Sequence, residues 1–190
     1  KFDELLIPGQ SITLGRMTWK ILGAPGHDPH SIMLFNEQSS ILISADALWE
    51  NGFGVVFPEL IGESGFSEVS STLDLIADLQ PKFVIPGHGR PFTDVQIALE
   101  AARSKLAYLS GNPKRNAEHA AKVLLKYKLL EWQSIEINKA VEWIKSTPLM
   151  TTIAKQLDRE IDDLANWLPP ALAKTGGAAI HQNLIANAEK

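Results

Sequence analysis

The chain has no cysteine among its 190 residues. A disulfide framework, Cys-based zinc sites and thiol catalysis are therefore excluded. Any metal held here must rest on His and carboxylate groups. Long apolar runs are also missing: none approaches the ~20 residues that span a bilayer. The opening KFDELLIPGQ lacks the apolar stretch of a signal peptide. A cytoplasmic protein with no membrane partner is the expectation. No Met stands at position 1, where Lys1 is found, so further residues are expected to precede it in the natural protein. A large excess of one charge is absent too. The net charge is −4, with 5 Lys/Arg against 12 Asp/Glu in residues 1–95 and 13 against 10 in residues 96–190. This is far from the basic footprint of a nucleic-acid binder, and no nucleic-acid partner is expected. The change of sign suggests two differently built halves.

What is present begins with strand patterns. SITLG (11–15) and MTWKILG (17–23) alternate apolar and polar residues. SIMLF and ILISA flank the short polar NEQSS and predict a hairpin. Residues 46–65 are rich in Gly and Pro and read as a long loop, a class that is often functional. Val69, Leu73, Ile76 and Leu79 have helical spacing, with Ser67 as candidate N-cap and Pro81 as stop. KFVIP predicts a strand, and a helix capped by Thr93 or Asp94 is predicted to run to Gly111. From residue 112 the pattern becomes mostly helical. Helices are predicted at 114–130, with Asn112 or Asn116 near the start, then in IEINKAVEWIK, in LMTTIAKQL and in DREIDDLANWLPPALAKTGG. Pro169 and Pro170 are expected to break or kink the last of these. GGAAIHQNLI predicts a terminal strand or wing. Trp132, Trp143 and Trp167, spaced among Leu and Ile, are expected in a core.

Three loops that follow predicted strands each carry a residue able to bind metal. His27 lies in Pro25-Gly26-His27-Asp28-Pro29-His30-Ser31, Asp46 in Ser44-Ala45-Asp46-Ala47-Leu48, and His88 in Ile85-Pro86-Gly87-His88-Gly89. Rigid strands place loop side chains accurately, and open α/β layers gather ligands beyond strand ends. Two imidazoles and a carboxylate suit zinc, iron or manganese. Taken singly, each residue has a plainer reading, as a turn residue or a turn cap. His30 reads as a loop hydrogen-bonding residue, and Asp28 faces substrate or a turn. His119 and His181, in the helical half, read as structural.

In combination these motifs resemble the metallo-β-lactamase superfamily, and within it the branch of hydroxyacylglutathione hydrolases and thioesterase-like proteins. The resemblance covers about residues 10–92. It implies that His27 binds a first metal, that Asp46 bridges two metals and is the residue closest to catalysis, and that His88 binds the second. Where the family usually has Thr and Gly after the first histidine, this chain has Asp28-Pro29-His30. The family's His-x-His-x-Asp-His signature, which supplies further ligands to both metals, does not occur in this chain. The resemblance thus implies half of an αββα sandwich over residues 1–111, within an α/β fold, with the site half built. Residues 112–190 are expected to form a helical, winged-helix-like domain.

The function implied is a metal-dependent hydrolase. Two divalent ions, zinc foremost and iron or manganese as alternatives, would direct metal-bound hydroxide at a small ester or thioester. The chain alone, lacking the signature, is expected to be inactive and to bind metal weakly. The other reading is an inactive fragment or interaction module, with the helical domain serving homodimerisation rather than nucleic-acid binding.

Overall fold

Alternation in the first half becomes a five-stranded sheet in the computed structural model, which describes residues 4–188. Strands β1 (Ser11–Leu14), β2 (Met17–Gly23), β3 (Ile32–Asn36) and β4 (Ile41–Ala45) form an antiparallel meander. A crossover through helix α1 (Phe66–Leu79) brings in β5 (Phe83–Pro86) parallel to β4, and helix α2 (Val95–Ser110) follows. Parallel pairing requires such a crossover. Met33, Phe35, Leu42 and Val84 point to one face, where Val69, Leu73 and Ile76 of α1 and Ala98, Leu99 and Ala102 of α2 close the core. On the other face the register aligns Ile21, Leu34, Ile43 and Ile85 in one apolar row. The result is one helical layer and one sheet layer, which is half of an αββα arrangement.

Two compact units are separated at Gly111 and Asn112. In the second, α3 (Pro113–Trp132) is followed by β6 (Ser134–Glu136), α4 (Ile137–Ser146), α5 (Pro148–Gln156) and α6 (Ile161–Lys174). The hairpin β7 (Ala178–His181) and β8 (Leu184–Asn187) closes the unit, with sheet order β6-β8-β7. Asn112 caps α3 by accepting from the Lys114 amide. Fully buried Ala120, Leu125, Ile144, Met150, Leu164 and Ile185 fill the core.

Several local expectations differ from the structure. Ser67 is not the cap of α1, because the helix begins at Phe66 and the loop residue Glu59 accepts from the Gly65 and Phe66 amides, both at 2.9 Å. Ser67 instead donates to Glu68. Residues 135 and 136 are strand rather than helix, since they pair with β8. Helix α6 runs unbroken through Pro169 and Pro170. Each proline removes one ladder donor, and burial of Leu168, Pro169 and Leu172 offsets that loss. Trp132, Trp143 and Trp167 are only half-buried. They lie at the rim of the core, where Lys128 covers Trp132 and Lys122 and Arg159 flank Trp167.

Candidate metal centre

Strands β2, β4 and β5 run in the same direction, so the loops that follow them emerge at one end of the sheet. The first holds Pro25-Gly26-His27. The Thr72 hydroxyl of α1 donates to the Pro25 carbonyl at 2.9 Å and fastens this loop to the helix. The His27 ring is fixed on its far side. Its Nδ1 donates to the Val55 carbonyl at 2.6 Å, and Phe57 packs edge-on at 5.2 Å. A carbonyl only accepts, so the proton is on Nδ1. In the neutral ring, Nε2 is then left as an acceptor.

Asp46 follows a distortion at the end of β4. The pairing with β5 shifts register between Ile43 and Ala45, and Ala45 has φ 47°. A left-handed conformation costs a residue with a Cβ about 1–2 kcal/mol and persists only where its surroundings hold it. Here Gly87 N donates to Ala45 O at 2.7 Å, Gly54 N to Asp46 O at 2.9 Å, and the buried Ser44 hydroxyl to Leu48 O at 2.6 Å. Two glycines let backbone pass close to the site. A Cβ on Gly54 would lie 2.5 Å from His27 Nδ1, and one on Gly87 would lie 3.0 Å from Asp46 Oδ1.

The three residues meet around one carboxylate. His27 Nε2 is 3.6 Å from Asp46 Oδ2, and His88 Nε2 is 3.6 Å from Asp46 Oδ1. The side chains are 23%, 29% and 49% exposed for His27, Asp46 and His88, so the site is reached from the His88 side. The Trp49 indole N–H donates to Asp46 Oδ1 at 3.2 Å, and its ring meets His88 edge-on at 5.1 Å.

A separation of 3.6 Å is too long for a hydrogen bond. With the neutral ring, it sets two acceptors against each other between His27 and Asp46, an arrangement that a cation between them would relieve. Two donors bound at ~2.1 Å to one tetrahedral ion stand about 3.4 Å apart. The donor set therefore fits a divalent ion at each imidazole–carboxylate pair. The convergence is pairwise: among the described residues no three His, Asp or Glu side chains close on a single metal position.

The remaining sequence candidates lie apart from this arrangement. Asp28 Oδ1 accepts from the His30 amide at 2.8 Å, so Asp28 serves the turn. His119 sits on α3 and His181 at the end of β7, both in the second unit. Sequence reasoning missed Val55, Gly54, Trp49 and Lys105. Trp49 had a weak signal, three residues past Asp46. Lys105, on α2, had none. Its ammonium donates to the Phe53 carbonyl at 2.7 Å beneath the 46–54 loop, and burial lowers its pKa to about 8.

Residues 2–88 match the family model described as the Metallo-beta-lactamase superfamily. Two Bacillus subtilis proteins are similar. "Probable metallo-hydrolase YqjP" is 31% identical over 87 residues, covering 43% of this chain and 27% of that protein. "Probable metallo-hydrolase YqgX" is 30% identical over 94 residues, covering 49% of this chain and 43% of that protein. The chain thus spans less than half the length of either relative. In fold it is similar to a beta-lactamase domain protein from Burkholderia ambifaria, with TM-score 0.50 and 19% identity, covering 100% of this chain and 53% of that one.

Proposed function

We propose that this chain, whose residues 2–88 match the model of the Metallo-beta-lactamase superfamily, supplies half of the binuclear site of a metal-dependent hydrolase of that superfamily acting on a small ester or thioester. The carrying observation is the placement of His27 and His88 at opposite oxygens of Asp46. His27, Asp46 and His88 are the residues that would hold the ions. Two divalent cations, with zinc the best match to the donors and iron or manganese as alternatives, supply an acidified water and an electrophilic partner for the scissile carbonyl.

The chain's own groups prepare that chemistry. His27 commits Nδ1–H to Val55, the outer-shell bond that fixes ring orientation and turns Nε2 toward Asp46. Asp46 offers one oxygen toward each imidazole. Its negative charge would offset repulsion between two cations held there, which neutral imidazoles could not do. Trp49 holds one of its oxygens by a hydrogen bond. The open side at His88 leaves an approach for substrate.

The test compares Asp46→Asn with Asp28→Asn in the longer protein that carries the complementary ligands. Metal content and turnover on a panel of esters, thioesters, lactones and phosphodiesters are measured together. Asp46→Asn keeps shape but removes charge. It is expected to lose second-metal occupancy and to lower turnover by about 100-fold or more, the upper end of losses from merely supporting residues. Asp28→Asn should change both little. Wild-type metal content and turnover in Asp46→Asn would refute the bridging role.

For the second unit we propose a winged-helix-like module that serves packing or dimerisation. The succession of helix, strand, helices and hairpin, with sheet order β6-β8-β7, supports that reading. The acidic start of α6, with Asp162 and Asp163 in its first turn, disfavours nucleic acid as the partner.

A further inference from the structure

Helix α2 sends one charged side chain inward. Lys105 donates from Nζ to the Phe53 carbonyl at 2.7 Å, and the same ammonium lies 4.9 Å from the Phe53 ring centroid and 5.8 Å from that of Trp49. Such distances are in the range of cation–π attraction. The aliphatic stem also shapes the loop. A Cβ on Gly52 would come within 2.9 Å of Lys105 Cδ, so the Gly52 backbone lies directly against it. Gly52 and Trp49 exchange backbone hydrogen bonds at 2.6 and 3.4 Å. Lys105 therefore touches both ends of the clamp that presents Trp49, and Trp49 in turn contacts both Asp46 and His88.

We propose that Lys105 is a positioning residue: its ammonium fixes Trp49 and, through the indole N–H, sets the orientation of the Asp46 carboxylate. This rests on the reading of Asp46 as a metal ligand. Packing alone does not account for a lysine at this place. Among the described residues it has no carboxylate within ion-pair distance, and burial disfavours its charged form. A methionine of similar length would fill the same space without that desolvation. What methionine lacks is the donor to Phe53 and the cation beside the two rings.

The test follows the Trp49 indole Nε1–H signal by nitrogen–proton NMR in the 190-residue chain. Trp49→Phe assigns the signal, and Asp46→Asn marks how far it moves when the charged acceptor is lost. Lys105→Met is expected to move the Trp49 signal at least half as far and to speed its exchange with solvent about tenfold. The Trp132 and Trp143 signals should stay in place, and Tm should be equal to or above wild type. An unmoved Trp49 signal in folded Lys105→Met would overturn the proposal. So would a lowered Tm with all indole signals moving together, because that is the mark of a purely structural lysine. If Lys105→Met does not fold, Lys105→Gln gives the reading: a neutral amide carries no cation to set beside the two rings, so the signal should still move, and an unmoved signal again overturns the proposal. In the longer protein, zinc affinity should fall about tenfold in Lys105→Met, and unchanged affinity there would count against the positioning role. Unchanged metal content in Asp46→Asn would count against the ligand reading instead, so the two failures are separable.

Discussion

At the scale of single residues, the chain combines groups whose order in sequence is informative with groups whose partners lie far away. The convergence of His27, Asp46 and His88 was legible because each follows a strand within a short recognisable motif. Lys105 was not, because its contact to Phe53 spans 52 positions and leaves no periodic trace. Its burial has a measurable consequence. The pKa is lowered from 10.5 to about 8 by desolvation. Between pH 8 and 10.5 the unfolded chain holds a proton that the folded chain has released. Stability therefore rises with pH across that window, and below it both states are protonated and the slope vanishes. The full effect is on the order of 3 kcal/mol. Urea unfolding at pH 7.5 and at pH 10 should show the first unit of wild type gaining stability relative to Lys105→Met as pH rises. A difference between the two proteins that does not change with pH would contradict the buried-cation account.

At the scale of elements, strand alternation and helix spacing were readable wherever local preference and tertiary packing agree. The meander β1–β4 and the helices over 66–79 and 95–110 are of this kind. Legibility failed where a distant partner decides. Glu59 replaces Ser67 at the start of α1, and β8 draws residues 134–136 into a strand. The break expected at Pro169 and Pro170 did not arise, since burial of Leu168, Pro169 and Leu172 holds that helix. Helix α6 also carries a functional expectation. Glu160 stands at its N-cap, Asp162 and Asp163 are exposed in its first turn, and Lys145 is already paired with Asp162 at 2.5 Å. Phosphate approaching that end meets negative charge. Titration with duplex and single-stranded oligonucleotides at physiological salt should show no binding in the ~10⁻⁸–10⁻¹¹ M range of specific complexes. A dissociation constant within that range, weakening steeply with salt, would overturn the packing role proposed for the second unit.

At the scale of the whole molecule, the chain divides into two compact units between Gly111 and Asn112, and the cluster of His27, Asp46 and His88 lies in the first. One face of its sheet is closed by α1 and α2, while the row Ile21, Leu34, Ile43 and Ile85 makes the opposite face apolar as well. A sheet apolar on both faces matches one layer of a sandwich, and it accords with a site in which each oxygen of Asp46 meets one histidine of this chain. The single helical layer over one face of the sheet was legible from strand alternation and helix spacing. The pairing of specific nitrogens with specific oxygens was not, because it depends on the left-handed Ala45 and on the close backbone passes at Gly54 and Gly87. The central claim is that Asp46 bridges two cation positions, and anomalous diffraction at the zinc edge, on crystals of the zinc-loaded longer protein, tests it most directly. The account predicts two peaks, one in contact with His27 Nε2 and the other with His88 Nε2, each touching a different oxygen of Asp46. Zinc peaks that leave Asp46 untouched, or a single peak bound by only one of the two histidines, would contradict it.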